Sequence, residues 1–208
     1  MLFIYKLVIL SLKNVLSVSR NRLIFLVTKT KKKVNGECGV KMSGSSAAYF
    51  EECTFKNNKT YGLSTVHSCE AVLEKCEVSE NSYDGINMSD YSLIDLRESK
   101  VEKNGYNGIL VGSKYRLILD GSIIKSNSWD GVVIEHKETT FILGGNTFES
   151  NTGHGLYFVK GKPENLYFEV LDLDYDSEYP TKKMEDEETN KILNEKNKFE
   201  SNGKSDIN

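Results

Sequence analysis

The amino-acid sequence predicts an all-β protein, a single-stranded right-handed parallel β-helix of about six coils. Three observations carry this expectation. Gly39, Gly62, Gly85, Gly108 and Gly131 stand 23 residues apart, and Gly155 follows after 24. Asn35, Asn58, Asn81, Asn104 and Asn127 repeat the same step of 23, and Asn151 again follows after 24. Apolar residues recur in three places per unit, and within each place they are two apart, the period of a strand rather than of a helix.

The first strand follows each glycine. Leu63, Ile86, Ile109, Val132 and Leu156 come directly after it, and Thr65, Met88, Val111, Ile134 and Phe158 two residues later. The second strand holds Ala48, Ala71, Ile94, Leu117 and Phe141, with Phe50, Leu73, Leu96, Leu119 and Leu143 two residues on. The third is centred on Phe55, Val78, Val101, Ile124 and Phe148, with Cys53, Cys76, Ser99, Ser122 and Asn146 two residues before. Equivalent positions then stack about 4.8 Å apart from coil to coil, and the inward columns merge into one core. The recurring Gly and Asn mark the turns, where both tolerate left-handed backbone. The Asn column at 58, 81, 104, 127 and 151 is also expected to hydrogen-bond up and down the stack.

A leucine-rich repeat has a similar period, and Leu117-x-Leu119-x-x-Ser122-x-Ile124 fits its LxLxxNxL stretch. The leucine it needs three residues earlier is missing, because Ser45, Ser68, Tyr91, Lys114 and Glu138 stand there. The remainder of each unit reads as a turn and a strand, not a helix. The parallel β-helix is the better description.

The units CTFKNNKTYGLSTV, CEVSENSYDGINM, SKVEKNGYNGILV and NTFESNTGHGLYF resemble the repeats of the pectin-lyase-like superfamily. They are more closely similar to those of F-box-type and viral right-handed β-helix proteins, with their N-x-I-x-x-N-x-x-x-G-I rhythm. The resemblance covers residues 36–160 and resumes at 197–203. It implies the architecture. It leaves activity open, since the superfamily includes lyases, hydrolases, epimerases, phage adhesins and plain binding modules.

The chain divides by this rhythm into four parts. Residues 1–35 form an N-terminal cap or degenerate coil, in which Phe25 and Val27 fall in strand slots; a targeting segment or anchor within residues 1–28 is the alternative. Lys6 interrupts its apolar run, which is too short to span a bilayer. Residues 36–161 are regular coils. Residues 162–196 are an acidic insertion, and residues 197–208 the last partial coil and tail, with Phe199 and Asn202 back in their slots.

Charge narrows the partners. Residues 1–33 carry eight Lys/Arg and no acid, leaving 19 bases against 30 acids elsewhere. So acidic a body is a poor nucleic-acid binder, because phosphate contacts need a basic face. Cys38, Cys53, Cys69 and Cys76 form no CxxC pair and have no His at zinc-ligand spacing, so no metal and no cofactor is expected. Cys53 and Cys76 occupy successive inward positions, where either a disulfide or a ladder of thiols fits. A cytoplasmic setting is favoured, and a secreted one if residues 1–20 are a signal segment. Asn58-Lys-Thr and Asn87-Met-Ser would matter as glycosylation sites only in the secreted case.

Several columns are candidate sites. Tyr83, Tyr106 and Trp129 recur in the turn before each Asp/Asn-Gly pair, as a stack of rings or a platform for a ligand. Lys41, Ser64, Asn87, Leu110, Val133 and Tyr157 are the outward residues of the first strand, and this stripe turns apolar toward the C-terminal coils, as a covered surface would. Leu110, Val133 and Tyr157 are therefore grouped with the aromatic column as candidate partner contacts. Asp84, Asp130 and His154 form a weaker polar candidate, with solvated turn positions as the alternative. Gly153-His154-Gly155 resembles an element of polygalacturonases, but the Asn-x-Asp, paired-aspartate and Arg-x-Lys elements of that chemistry are missing. Glu51, Glu74, Arg97 and Asp120 make a mixed-charge outward column, read as a solvated sheet face. No complete catalytic set emerges. The expectation is a non-catalytic recognition module presenting a flat sheet face to a protein or glycan; the alternative is a carbohydrate-active enzyme or its degenerate descendant.

Overall fold

A computed structural model describes the backbone of residues 15–19, 22–28 and 31–33, and residues 38–167, 197–204 and 207 in full. The expectations for residues 1–14 and for most of the insertion, 168–196, lie outside these described residues.

The chain winds as a right-handed solenoid of three parallel sheets. Sheet I contains Arg22–Thr28, Ala47–Glu51, Glu70–Glu74, Leu93–Arg97, Arg116–Asp120, Thr140–Gly144 and Asn165–Tyr167, in that order. Val15–Ser19, an element the repeat did not announce, pairs antiparallel with Arg22–Thr28 at its edge. Sheet II contains Val40–Met42, Leu63–Thr65, Ile86–Asp90, Ile109–Ser113, Val132–Ile134 and Leu156–Phe158. Sheet III contains Lys31–Lys33, Thr54–Lys56, Glu77–Ser79, Lys100–Glu102, Ile123–Lys125, Thr147–Glu149 and Lys198–Glu200. Each coil passes through sheets II, I and III in turn. No helix occurs among the described residues, which removes the leucine-rich repeat.

Register follows the repeat. Leu63, Ile86, Ile109, Val132 and Leu156 lie side by side, as do Ala71, Ile94, Leu117 and Phe141. These inward columns, with Val78, Val101, Ile124 and Phe148 from sheet III, form one continuous core. Burying each large apolar side chain contributes about 1.5–3 kcal/mol, which is what holds short strands with no helix to back them.

Two polar ladders run inside this core wall. Asn58, Asn81, Asn104 and Asn127 each donate their backbone N–H to the side-chain Oδ1 of the next Asn in the column, at 3.1 Å in every step. Their Nδ2 groups donate to the same oxygens, at 2.6–3.0 Å. A second ladder repeats the device with smaller groups: Cys76 N–H donates to Ser99 Oγ, Ser99 N–H to Ser122 Oγ, and Ser122 N–H to Asn146 Oδ1, at 2.9–3.1 Å. Cys53 N–H meets Cys76 Sγ at 3.4 Å in the same column, and all four cysteines are thiols.

One sequence expectation is corrected here. The recurring glycines do not adopt left-handed backbone; the left-handed residues are Glu52, Lys75, Glu98, Gly121 and Gly145 between sheets I and III, Asn57, Glu80, Lys103, Ser126, Ser150 and Ser201 after sheet III, and Gly44, His67, Asp90 and Gly161 where sheet II gives way to sheet I, with φ between 45° and 87°. The glycines recur because there is no room for Cβ. At Gly131 it would lie 2.5 Å from the carbonyl oxygen of Gly155 and 3.0 Å from Nδ2 of Asn151. The Gly column is thus the partner of the Asn column, which occupies the space a side chain would need.

The last coil is interrupted. The chain leaves sheet I after Asn165–Tyr167 and is next described at Asn197, where other coils need only two residues between sheets I and III. Lys198–Glu200 returns in register beside Thr147–Glu149, with Phe199 stacked on Phe148 at 4.8 Å between ring centres. Asn151 donates to Oδ1 of Asn202, continuing the ladder.

Candidate functional site

The turn from sheet III to sheet II brings together the aromatic column and the acidic turn positions. Asp84, Asn107 and Asp130 are buried, not solvated, which corrects the reading of them as exposed turn residues. They form a third ladder that runs opposite to the other two. Oδ1 of Asp84 accepts from the backbone N–H and Nδ2 of Asn107, both at 3.0 Å. Oδ1 of Asn107 accepts from Asp130 N–H at 3.1 Å, and Oδ1 of Asp130 from His154 N–H at 2.6 Å. The turn turns these side chains inward because each coil's peptide N–H groups at this corner need an acceptor from the coil before.

Burial pushes the Asp84 carboxyl above its ordinary 3.8, against the lowering effect of the amide donors of Asn107 and Asn87. An acid whose pKa rises on folding holds more protons in the native state. Its contribution to stability therefore falls as pH rises from the unfolded value, about 4, through the folded one. Asn107 shows that an amide fits this slot. Asp84→Asn is therefore expected to raise the melting temperature at pH 7 and to flatten its decline above pH 4, read by thermal melts from pH 3 to 8.

The structure brings Asp130 and His154 together. His154 Nδ1 lies 2.9 Å from Asp130 Oδ1, and its ring stacks on Tyr157 at 4.8 Å and 11°. With Nδ1–H directed at the carboxylate, Nε2 is the lone-pair nitrogen, the arrangement of a general base. Gly153 is required beside it: a Cβ there would overlap Asp130 Oδ1. Asp84 stands two coils away, so the polar candidate divides into a pair and an isolated carboxyl.

Outside this ladder the rings of Tyr83, Tyr106 and Trp129 project into solvent, 45%, 43% and 57% exposed. Tyr83 and Tyr106 meet edge to face with centroids 5.3 Å apart; Tyr106 and Trp129 stack at 5.5 Å and 30°. Tyr61 extends the row at 5.8 Å from Tyr83. Register alone placed Tyr61 in the Asp84 slot, one position off the aromatic column; its aromatic type next to Tyr83 was the available signal. Ser82, Gly105 and Ser128 precede the three rings in sequence, so small residues border the row.

The outward stripe of sheet II behaves differently. Leu110 and Tyr157 are half-buried and Val133 is buried. It is not an open apolar face. In the mixed-charge column on sheet I, Glu74 accepts from the Tyr49 hydroxyl and from Lys75 Nζ at 3.2 Å. Arg97 grips Asp95 through Nε and Nη2 at 2.9 and 2.8 Å. Sheet III is a solvated face of ion pairs, such as Lys56–Glu80 at 2.7 Å and Lys100–Glu102 at 2.8 Å. Asn58 is locked in its ladder, and Asn87 lies half-buried in a strand. Among the described residues, no group of three or more His, Cys, Asp or Glu side chains is placed to hold a metal ion.

Neither a curated protein nor a solved structure matches the chain. One family profile does, described as the right handed beta helix region, and it spans residues 14–169. The pectin-lyase-like superfamily fits the same architecture. With three parallel sheets in 23-residue register, ladders along the axis and this match over most of its length, the chain belongs to the right-handed β-helix family.

Proposed function

We propose that the protein is a non-catalytic recognition module whose contact surface is the aromatic row of Tyr83, Tyr106 and Trp129, offered to a protein or glycan partner. The observation that supports this reading is the exposure of three rings in contact along successive coils. Such a row presents rigid, amphipathic area at little conformational cost, the property that makes Tyr and Trp prominent in binding surfaces. Leu110 and Tyr157, half-buried on the adjoining sheet, and Val133, buried between them in the same column, belong to the proposed contact region.

Trp129 is the sole tryptophan, so its fluorescence reports on this surface directly. Titration with polygalacturonate, alginate and a neutral glucan is expected to give a saturable change in emission with at least one probe if the partner is a glycan, and none if it is a protein. Tyr106→Ala is expected to weaken such binding about tenfold, the value of a ring contact, without lowering the melting temperature by more than a few degrees.

The Asp130–His154 pair favours a second reading, a polysaccharide-active enzyme or its degenerate descendant. Assay of the same polyanions for new reducing ends or unsaturated products separates the two. Turnover abolished by His154→Ala or Asp130→Asn would replace the recognition reading with the enzymatic one.

A further inference from the structure

Sheet II is bordered by two corners. The corner before it carries the aromatic row. The corner after it, where the chain passes to sheet I, carries Lys114, Lys137 and Lys160 in three successive coils, all of them exposed. Register fixes their spacing. Val111 and Ile134 are cross-strand partners, and Lys114 and Lys137 each follow three residues later. They therefore stand one coil apart, about 4.8 Å. Lys160 follows Phe158, the partner of Ile134, by two residues and belongs to the next coil. The Lys137 side chain leans toward that coil, with Cε and Nζ 3.3 and 3.6 Å from the place a Cβ on Gly161 would take.

Like charges on neighbouring strands repel, so a lysine column is unfavourable unless anions neutralise it. Sheet III supplies them from its own residues. Lys56 pairs with Glu80, Lys100 with Glu102 and Lys198 with Glu200, at 2.7–2.8 Å. Among the described residues, no carboxylate forms an ion pair with Lys114, Lys137 or Lys160. Their field is nonetheless felt at this corner. Glu138 is held below the ordinary carboxylate range, first by its own backbone N–H and then by the charges of Lys114, His136 and Lys160. Tyr91 and Tyr115 are exposed at the same corner, and the Arg116 guanidinium lies 5.2 Å from the centre of the Tyr115 ring.

We infer that the corner bearing Lys114, Lys137 and Lys160 is a docking strip for an acidic polypeptide segment of a partner protein, laid along the solenoid axis. Carboxylates on one side of an extended segment recur about every 6.6 Å, within reach of flexible lysine side chains on coils about 4.8 Å apart. Tyr91 and Tyr115 offer ring surface to the apolar residues of such a segment. Carboxylates of this chain select against denser anions. Glu135 and Glu138 flank Lys137 in sequence, and Glu164 is tied to the same corner, its N–H donating to Lys137 O at 2.9 Å. Duplex DNA, with a charge every 1.7 Å or so of axis (roughly), would be forced against them. A membrane surface calls for a cluster of about four to eight bases, more than this strip holds. A polypeptide with separated carboxylates passes between the acids. The width of sheet II, about 10 Å for three residues, separates the strip from the aromatic row, so neither surface depends on the other.

The test is the fluorescence anisotropy of a labelled oligoglutamate titrated with the full-length chain. A saturable rise is expected at about 0.05 M salt and a much weaker one at about 0.2 M, because exposed charges are screened. Lys114→Ala/Lys137→Ala/Lys160→Ala is expected to weaken binding at least about tenfold. Lys56→Ala/Lys100→Ala/Lys198→Ala removes the same net charge from paired lysines and is expected to change binding less than about threefold. Trp129→Ala is expected to leave it unchanged. Thermal melts check that each variant keeps its fold. Absence of binding at low salt, or equal weakening by the two lysine triples, overturns the inference. Binding of duplex DNA or phosphatidylserine vesicles through Lys114, Lys137 and Lys160 in place of oligoglutamate overturns it too. Loss of binding in Trp129→Ala assigns the acidic ligand to the aromatic row, which also overturns the strip while the recognition reading stands.

Discussion

Asn104→Leu is expected to remove about 4 kcal/mol from the free energy of unfolding, seen as a lower urea midpoint at unchanged slope. Leucine matches the volume, so the loss comes from hydrogen bonds. Asn104 Oδ1 accepts from both the backbone N–H and Nδ2 of Asn81, at 3.1 and 3.0 Å. Its Nδ2 donates to Val78 O and to Asn127 Oδ1, at 3.3 and 3.0 Å. Leucine leaves two donors and a carbonyl buried without those partners, each worth about 1–3 kcal/mol. Asn104→Asp keeps the acceptor for Asn81 but turns a second oxygen toward the Val78 and Asn127 oxygens. It is expected to be destabilising at pH 7 and to recover partly in acid, where a protonated oxygen donates again. Recovery in acid for Asp but not for Leu separates the ladder from packing.

Gly108→Ala is expected to cost about 3 kcal/mol, a fall in melting temperature of roughly 10 °C. The new Cβ would lie 2.5 Å from the carbonyl oxygen of Gly131, 2.8 Å from Asn127 Nδ2 and 2.8 Å from Ile124 Cγ2. The Gly131 oxygen already accepts the Ile109 N–H at 2.9 Å, so relieving the clash pulls open the bond that joins two coils. Gly44→Ala is the contrast. Nothing lies within 4 Å of its Cβ position, but its φ is +79°. Only the strain of left-handed backbone applies there, about 1 kcal/mol. If the two variants melted alike, the close approach between coils would not be the reason for the glycine column.

The candidate site was only partly legible. Tyr83, Tyr106 and Trp129 could be aligned from their spacing, and the rings do touch in that order. Their exposure could not be read, nor could the way Tyr61 joins them from a different slot. Asp84 and Asp130 looked like solvated turn residues, because an acidic side chain next to glycine usually is one. They turn inward because the backbone of the adjacent coil presents an N–H that water cannot reach, a demand that arises only once the coils are stacked.

The sequence by itself determined the period, the three strands per coil, the inward columns and the register. It could do so because each coil rests on the next at one fixed spacing, so a residue's slot decides its neighbours. The tertiary structure alone decided which outward columns meet solvent. Ile118, between the inward Leu117 and Leu119, and Trp129 in its turn both lie off the inward columns, yet one is buried and the other is more than half exposed. A repeat specifies the direction of a side chain relative to its own coil. What lies beyond that side chain is set by the path of turns and non-repeating segments, which carry no period to read.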